Sequence, residues 1–133
     1  MLFHRQIVYR AVLCLLCYPI AFFSEISLLQ GYGAAKAGLL GLTHAQAASL
    51  AEHGIRVNAV LPGWIDTSDP AENGGKSVLR PEDHAWHWAG RVGVPADVAE
   101  MVAFLADDSK AGFITGQQFV VDGGVTKRML YPE

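Results

Sequence analysis

The stretch from Tyr32 to Gly63 constrains the fold of this chain more than any other. From Tyr32 to about His53 the apolar residues Ala35, Leu39, Leu42, Ala45, Ala48 and Leu50 recur at helical intervals. Small residues (Ala34, Ala35, Ala37, Gly38, Gly41) crowd the first half, so this helix can approach another backbone closely. Gly54 stands where a glycine in left-handed conformation ends a helix. Ile55-Arg56-Val57-Asn58-Ala59-Val60-Leu61 then reads as a short strand, closed by Pro62-Gly63. A long helix, a one-glycine turn and an apolar strand form the second half of a parallel βαβ unit.

The rest of the chain continues that pattern. Residues 64 to 80 are polar and turn-rich, with Asp66, Asp69-Pro70 and Asn73-Gly74-Gly75. Pro81-Glu82-Asp83 opens a short helix carrying His84, Trp86, His87 and Trp88, expected to be amphipathic with its two tryptophan rings folded inward. Pro95-Ala96-Asp97 starts a further helix, with proline in the first turn and acids near the positive end. Its core face is Val98, Met101, Val102 and Leu105, and it ends near Asp107. After the turn Gly112–Gly116 a second strand, Gln118 to Asp122, is stopped by Gly123-Gly124.

With 133 residues there is enough chain for one domain with a core. A net charge of −3 and only ten Lys and Arg leave no basic face to track phosphates, which excludes a nucleic-acid surface. The five histidines and the acids show no recurrent ligand spacing, so no metal site is expected. Cys14-x-x-Cys17 lies inside an apolar run, without the turn or further ligands that redox or zinc chemistry needs; it reads as two buried, reduced cysteines. Ala11 to Phe23 is apolar and follows Arg5 and Arg10. It falls short of the about 20 residues of a membrane span. It has the length of a secretory hydrophobic region but lacks the small-x-small cleavage pattern. It is expected to serve as a buried strand or helix, standing in for a neighbouring strand.

Tyr32 and Lys36 carry the chemistry. Four residues apart on a helix, a phenol and an ammonium share one face. A fixed cation beside a phenol favours its ionised form, and such a phenol can give or take a proton as a carbonyl becomes an alcohol, or the reverse.

Four motifs fall in one order: Tyr32-x-x-x-Lys36; Ile55-Arg56-Val57-Asn58-Ala59-Val60 leading into Pro62-Gly63-Trp64-Ile65-Asp66-Thr67; Gly90-Arg91-Val92-Gly93-x-Pro95-x-Asp97-Val98-Ala99; and Ile114-Thr115-Gly116-Gln117-x-x-x-Val121-Asp122-Gly123-Gly124. From Tyr32 to Gly124 the chain resembles the C-terminal part of the classical short-chain dehydrogenases/reductases. The resemblance implies an α/β fold, the C-terminal portion of a Rossmann-like parallel sheet flanked by helices. Residues 32–133 would be that part, and residues 1–31 a divergent apolar segment replacing the N-terminal half. It implies hydride transfer with NAD or NADP on a small alcohol or carbonyl substrate. Tyr32 would be the acid/base, and Lys36 would tune it and bind the nicotinamide ribose. Pro62 and Gly63 would close a ligand-binding strand end, and the backbone near Ile65 with the Thr67 hydroxyl would hold the carboxamide. Residues 64 to 88 would cover the substrate, and Asn58 would be structural. A cytoplasmic homo-oligomer is implied, with the Tyr32 helix against its symmetry mate and no membrane or nucleic-acid partner.

Two departures from the family pattern bear on activity. Residues 1–31 hold a single glycine, Gly31, so no glycine-rich loop for a pyrophosphate can be drawn. The serine expected thirteen residues before the tyrosine is Pro19, and Ser24 and Ser27 stand eight and five residues before it. The sequence thus leaves two expectations: a nicotinamide-dependent oxidoreductase, or a truncated, catalytically inactive fragment that keeps oligomerisation surfaces. Loss of the missing strands is expected to leave Val57, Val60, Phe119 and Val121 with one face and one edge uncovered.

Overall fold

The computed structural model describes residues 11–14, 26–68 and 79–128. Its elements in chain order are β1 (Ala11–Cys14), α1 (Ile26–Ser49), β2 (Val57–Pro62), α2 (Pro81–Ala85), α3 (Pro95–Ala106), α4 (Asp108–Ala111) and β3 (Gln118–Val121), with single 3-10 turns at Ala51–His53 and Val125–Lys127. The three strands form one parallel sheet in the order β1-β2-β3. Ala11 stands opposite Val57 and Cys14 opposite Val60, while Ala59 faces Gln118 and Pro62 faces Val121. The apolar N-terminal run therefore does supply a strand beside β2, over four of its residues. Residues 15–25, with Pro19, Ser24 and Cys17, and the turn-rich residues 69–78 lie outside the described residues.

β2 is the centre of the core. Val57, Asn58, Ala59 and Val60 are buried in succession, so both faces of the strand are covered. On one face Val60 packs with Leu105 and Ala111, backed by Val98, Met101, Val102, Phe119 and Val121. The core face of α3 is thus the one its spacing predicts. The other helix packed on this strand is α1. Val57 and Val60 are fully enclosed, against the expectation of an uncovered face, because β1 and β3 flank the strand while α1 and α3 cover it. The uncovered positions lie instead around β3, an edge strand among the described residues, with Val120 half-exposed and Phe113 fully exposed just before it.

Two features of α1 differ from the sequence reading. The helix begins at Ile26, six residues before Tyr32, because Ile26 to Gln30 contains no breaker. From residue 30 on, its buried residues are Thr43 and Ala47, whereas Leu42, Ala45 and Ala48 of the expected core face are exposed. Small and apolar residues surround this helix on most sides, so periodicity alone could not choose the face; contact with β2 does. Thr43 is tolerated inside because its hydroxyl donates to the Leu39 carbonyl at 2.9 Å. Gly54 ends the helical segment as expected, at φ 68° after the 3-10 turn.

Long-range polar bonds seat β2. The side-chain amide of Asn58, wholly buried in the central strand, donates to the Ile114 carbonyl at 3.0 Å, and its oxygen accepts from Gln117 N–H at 3.0 Å. Asn58 is structural, but its partners are 56 and 59 residues away rather than local. Arg56 reaches further: its guanidinium donates to the carbonyls of Leu105 (2.7 Å) and Ile114 (3.1 Å) and to the Asp108 carboxylate (2.9 Å).

Candidate active site

Ligands of an open parallel sheet bind outside the carboxyl ends of its strands. Here that edge holds Pro62-Gly63 at the end of β2 and Asp122-Gly123-Gly124 at the end of β3. The two ends are locked together, since Gly63 N–H donates to the Val121 carbonyl at 2.9 Å. A Cβ on Gly63 would sit 2.6 Å from Asp122 Cβ and 2.7 Å from its Cα. Gly63→Ala is therefore expected to force the strand ends apart at about 1–3 kcal/mol, read as a lower thermal midpoint.

Tyr32 and Lys36 lie in the first half of α1, the helix that leads into β2 and packs on it. From Ser49 back to Lys36 the helix rises about 20 Å, and β2 through Gly63 extends about 20 Å, so the two lengths match. The Lys36 ammonium lies over the Tyr32 ring, 5.3 Å from its centroid, and the tyrosine is 39% exposed.

Past Gly63 the chain makes one more parallel pairing, an isolated bridge between Ile65 and Gly93. Gly93 N–H donates to the Trp64 carbonyl at 3.1 Å, and Asp66 N–H donates to the Gly93 carbonyl at 2.8 Å. Each of these groups is half of a trans, planar peptide whose other half belongs to Ile65. Because carbonyl and N–H point oppositely across a trans peptide, Ile65 N–H and C=O both face away from Gly93. The site thus presents a donor and an acceptor on adjacent peptides, the pair a primary carboxamide needs. Thr67 follows on an exposed turn in which Ser68 N–H donates to Asp66 Oδ1 at 2.9 Å.

The corner behind the bridge is held by charge. Arg91 forks onto Asp97 at 2.6 and 2.7 Å and also donates to the Val92 carbonyl at 3.2 Å. Val92 N–H donates to His84 Nδ1, and Asp97 accepts from Val94 N–H at the start of α3. The Arg91 guanidinium, then the Val94 amide, hold the Asp97 carboxyl down at about 2. Its folded value lies below the ordinary 3.8, so the pair's contribution is complete above that value and is lost as pH falls through about 2. A carboxyl NMR titration of Asp97 should show that low midpoint, and Arg91→Met should raise it.

The segment after α2 turns inward differently from the sequence expectation. His87, not a tryptophan, is the enclosed ring at 3% exposure, because its Nδ1 is bonded to the Asp83 carbonyl at 2.9 Å. Its ring stands 5.8 Å from that of Trp64. Trp88 is exposed and covers Gly124, while the Arg128 guanidinium stacks on Trp86 at 4.4 Å and donates to the carbonyls of Ala85 and Trp86. His44 is exposed on α1. A cleft of about 130 Å³ behind the bridge is lined by Trp64, Ile65, Ala89, Arg91, Val121 and Asp122, among others. That volume suits a side chain or a few waters rather than a dinucleotide. Among the described residues there is no group of three metal-ligating side chains, and no helix is long and apolar enough to cross a membrane.

A family model described as enoyl-(acyl carrier protein) reductase matches residues 23–126. The chain belongs to the short-chain dehydrogenase/reductase family. It is 54% identical over 104 residues to an uncharacterized oxidoreductase of Thermotoga maritima, a match covering 77% of this chain and 41% of that one. It is 45% identical over 100 residues to a cyclohexanol dehydrogenase of an Acinetobacter strain, covering 75% and 38%. An apo short-chain oxidoreductase structure from Clostridium thermocellum superposes with a TM-score of 0.67 at 39% identity, covering 90% of this chain and 44% of that one. The chain spans about two fifths of the length of the curated relatives it matches. The Rossmann-like fold is thereby shown, and the described residues hold a three-stranded parallel part of it with flanking helices.

Sequence reasoning pointed to Tyr32, Lys36, Pro62, Gly63, Ile65 and Thr67 but gave no place at the site to Gly93, Arg91 or Asp97. Their signal was the Gly90-to-Ala99 motif, which marks the family without saying that its glycine pairs with the chain beyond β2. Arg56 was missed for a similar reason, since its three partners are scattered over ten residues half a chain away.

Proposed function

We propose that this chain forms the nicotinamide-side and acid/base part of an NAD- or NADP-dependent oxidoreductase acting on a small alcohol or carbonyl compound. The observation that carries this reading is the outward-facing donor and acceptor of Ile65, set beyond Pro62-Gly63 at the carboxyl end of the strand on which the helix of Tyr32 and Lys36 packs. Those groups fit the carboxamide of a nicotinamide, with the Thr67 hydroxyl nearby as a further donor. When bound, the cofactor supplies or accepts hydride. Tyr32 passes a proton to or from the substrate oxygen, and the Lys36 ammonium, held over the Tyr32 ring, binds the ribose. The exposed face of α1 bearing Leu42, Ala45 and Ala48 suits packing against a second copy in a homo-oligomer.

The name of the Acinetobacter relative points to secondary alcohols as the first substrates to try. Incubating the purified chain with cyclohexanol and NAD or NADP, and following reduced nicotinamide by absorbance, tests the reading. A second reading is favoured by the lone glycine of residues 1–31 and by Pro19 at the serine's place. In it the chain is inactive and pairs through α1 with full-length subunits. Turnover that depends on Tyr32 supports the first reading; no turnover, with co-elution alongside a full-length relative, supports the second.

A further inference from the structure

We propose that Gly93 is a positioning residue for the nicotinamide, acting through both peptides of Ile65. The proposal rests on the functional reading above and extends it to a residue that touches neither cofactor nor substrate. Its basis is the bridge geometry. Gly93 N–H takes the Trp64 carbonyl, and the Gly93 carbonyl takes Asp66 N–H, so one residue sets the planes of the two peptides that carry Ile65 N–H and C=O. Among the described residues no other is bonded to both.

The position also demands glycine for a steric reason. A Cβ there would lie 2.6 Å from Ile65 Cδ1, 3.1 Å from the Trp64 carbonyl oxygen and 3.7 Å from Asp97 Oδ2. The first contact is with the end of a side chain, which can turn aside; the second is with the backbone of the segment whose orientation is at issue. An added methyl group therefore presses on the Trp64–Ile65 peptide through the Trp64 carbonyl oxygen, tilting the donor and acceptor away from a carboxamide. The residues on either side of Gly93 are fixed from behind: Arg91 on Asp97, Val92 N–H on His84, Val94 N–H on Asp97. The corner is anchored on the far side, so Ile65 is the part that yields.

The experiment compares two probes, NADH and ADP-ribose, by calorimetric titration of the full chain and its variants. ADP-ribose carries everything in NADH except the nicotinamide ring and its carboxamide. Wild type should bind NADH more tightly than ADP-ribose. Gly93→Ala should weaken NADH roughly tenfold, the scale of one or two ligand hydrogen bonds, and leave ADP-ribose unchanged. Adding Ile65→Val removes the clashing Cδ1 and should restore part of the lost NADH affinity. Should Gly93→Ala fail to fold, Asp97→Asn loosens the corner without adding volume, and a several-fold loss for NADH alone is expected. Equal losses for both probes, or none, in whichever variant folds would overturn the positioning role. If wild type binds both probes equally, the nicotinamide is not held at Ile65 and this inference fails alone. If wild type binds neither, the functional reading fails and takes this one with it.

Discussion

Tyr32→Phe is expected to lower turnover on the order of 10²–10⁴-fold while leaving NADH affinity nearly unchanged. The range is that of a positioned general acid or base. Phenylalanine keeps the ring under the Lys36 ammonium, 5.3 Å away, and α1 is unaltered because the residue is partly exposed in the second turn. The hydroxyl alone is removed. A cofactor-binding defect of similar size would instead mean that the hydroxyl binds, and a variant with full turnover would remove Tyr32 from the chemistry. Lys36→Met separates the roles of the pair. It should damage both turnover and cofactor affinity if the ammonium also reaches the ribose.

Arg56→Ala should be the most damaging single change to stability, at about 2–4 kcal/mol. The side chain is 11% exposed, and it satisfies the Leu105 carbonyl at the end of α3, the Ile114 carbonyl in the turn before β3, and Asp108 in α4. Truncation takes from the Leu105 carbonyl its side-chain donor and from Ile114 and Asp108 one partner each, although the Asn58 amide still donates to Ile114, at the place where β2 begins. The carboxylate is half-exposed and water can reach it, so most of the cost comes from the Leu105 carbonyl and from the lost packing of a side chain that is 11% exposed. For a chain of this size the thermal midpoint should fall by roughly 6–15 °C. Arg56→Lys should recover less than half of the loss, because an ammonium cannot fork across the same partners. A change below about 0.5 kcal/mol would show that the contacts are replaced by solvent at little cost.

The parts of the fold legible in the sequence are those whose signal is local. Gly54 ends a helix wherever it stands, the Val98–Leu105 spacing chooses one face of α3, and Pro62-Gly63 stops a strand. Where the signal depends on a distant partner the sequence misleads. Nothing within α1 says that Thr43 and Ala47 face β2 while Leu42 faces out, since the helix is apolar or small nearly all round. Similarly, His87 rather than Trp88 goes inside because the Asp83 carbonyl and the ring of Trp64 receive it. The site divides along the same line. Tyr32, Lys36, Pro62 and Gly63 are visible as motifs, whereas the pairing of Ile65 with Gly93 joins residues 28 positions apart and becomes visible only in the fold.

The most direct test is a titration of the purified chain with NADH and with NADPH, followed by nicotinamide fluorescence. The account predicts saturable binding of one of them at micromolar concentration, kept in Tyr32→Phe. A linear, unsaturated response to both would contradict it and leave the chain as an inactive member of its family.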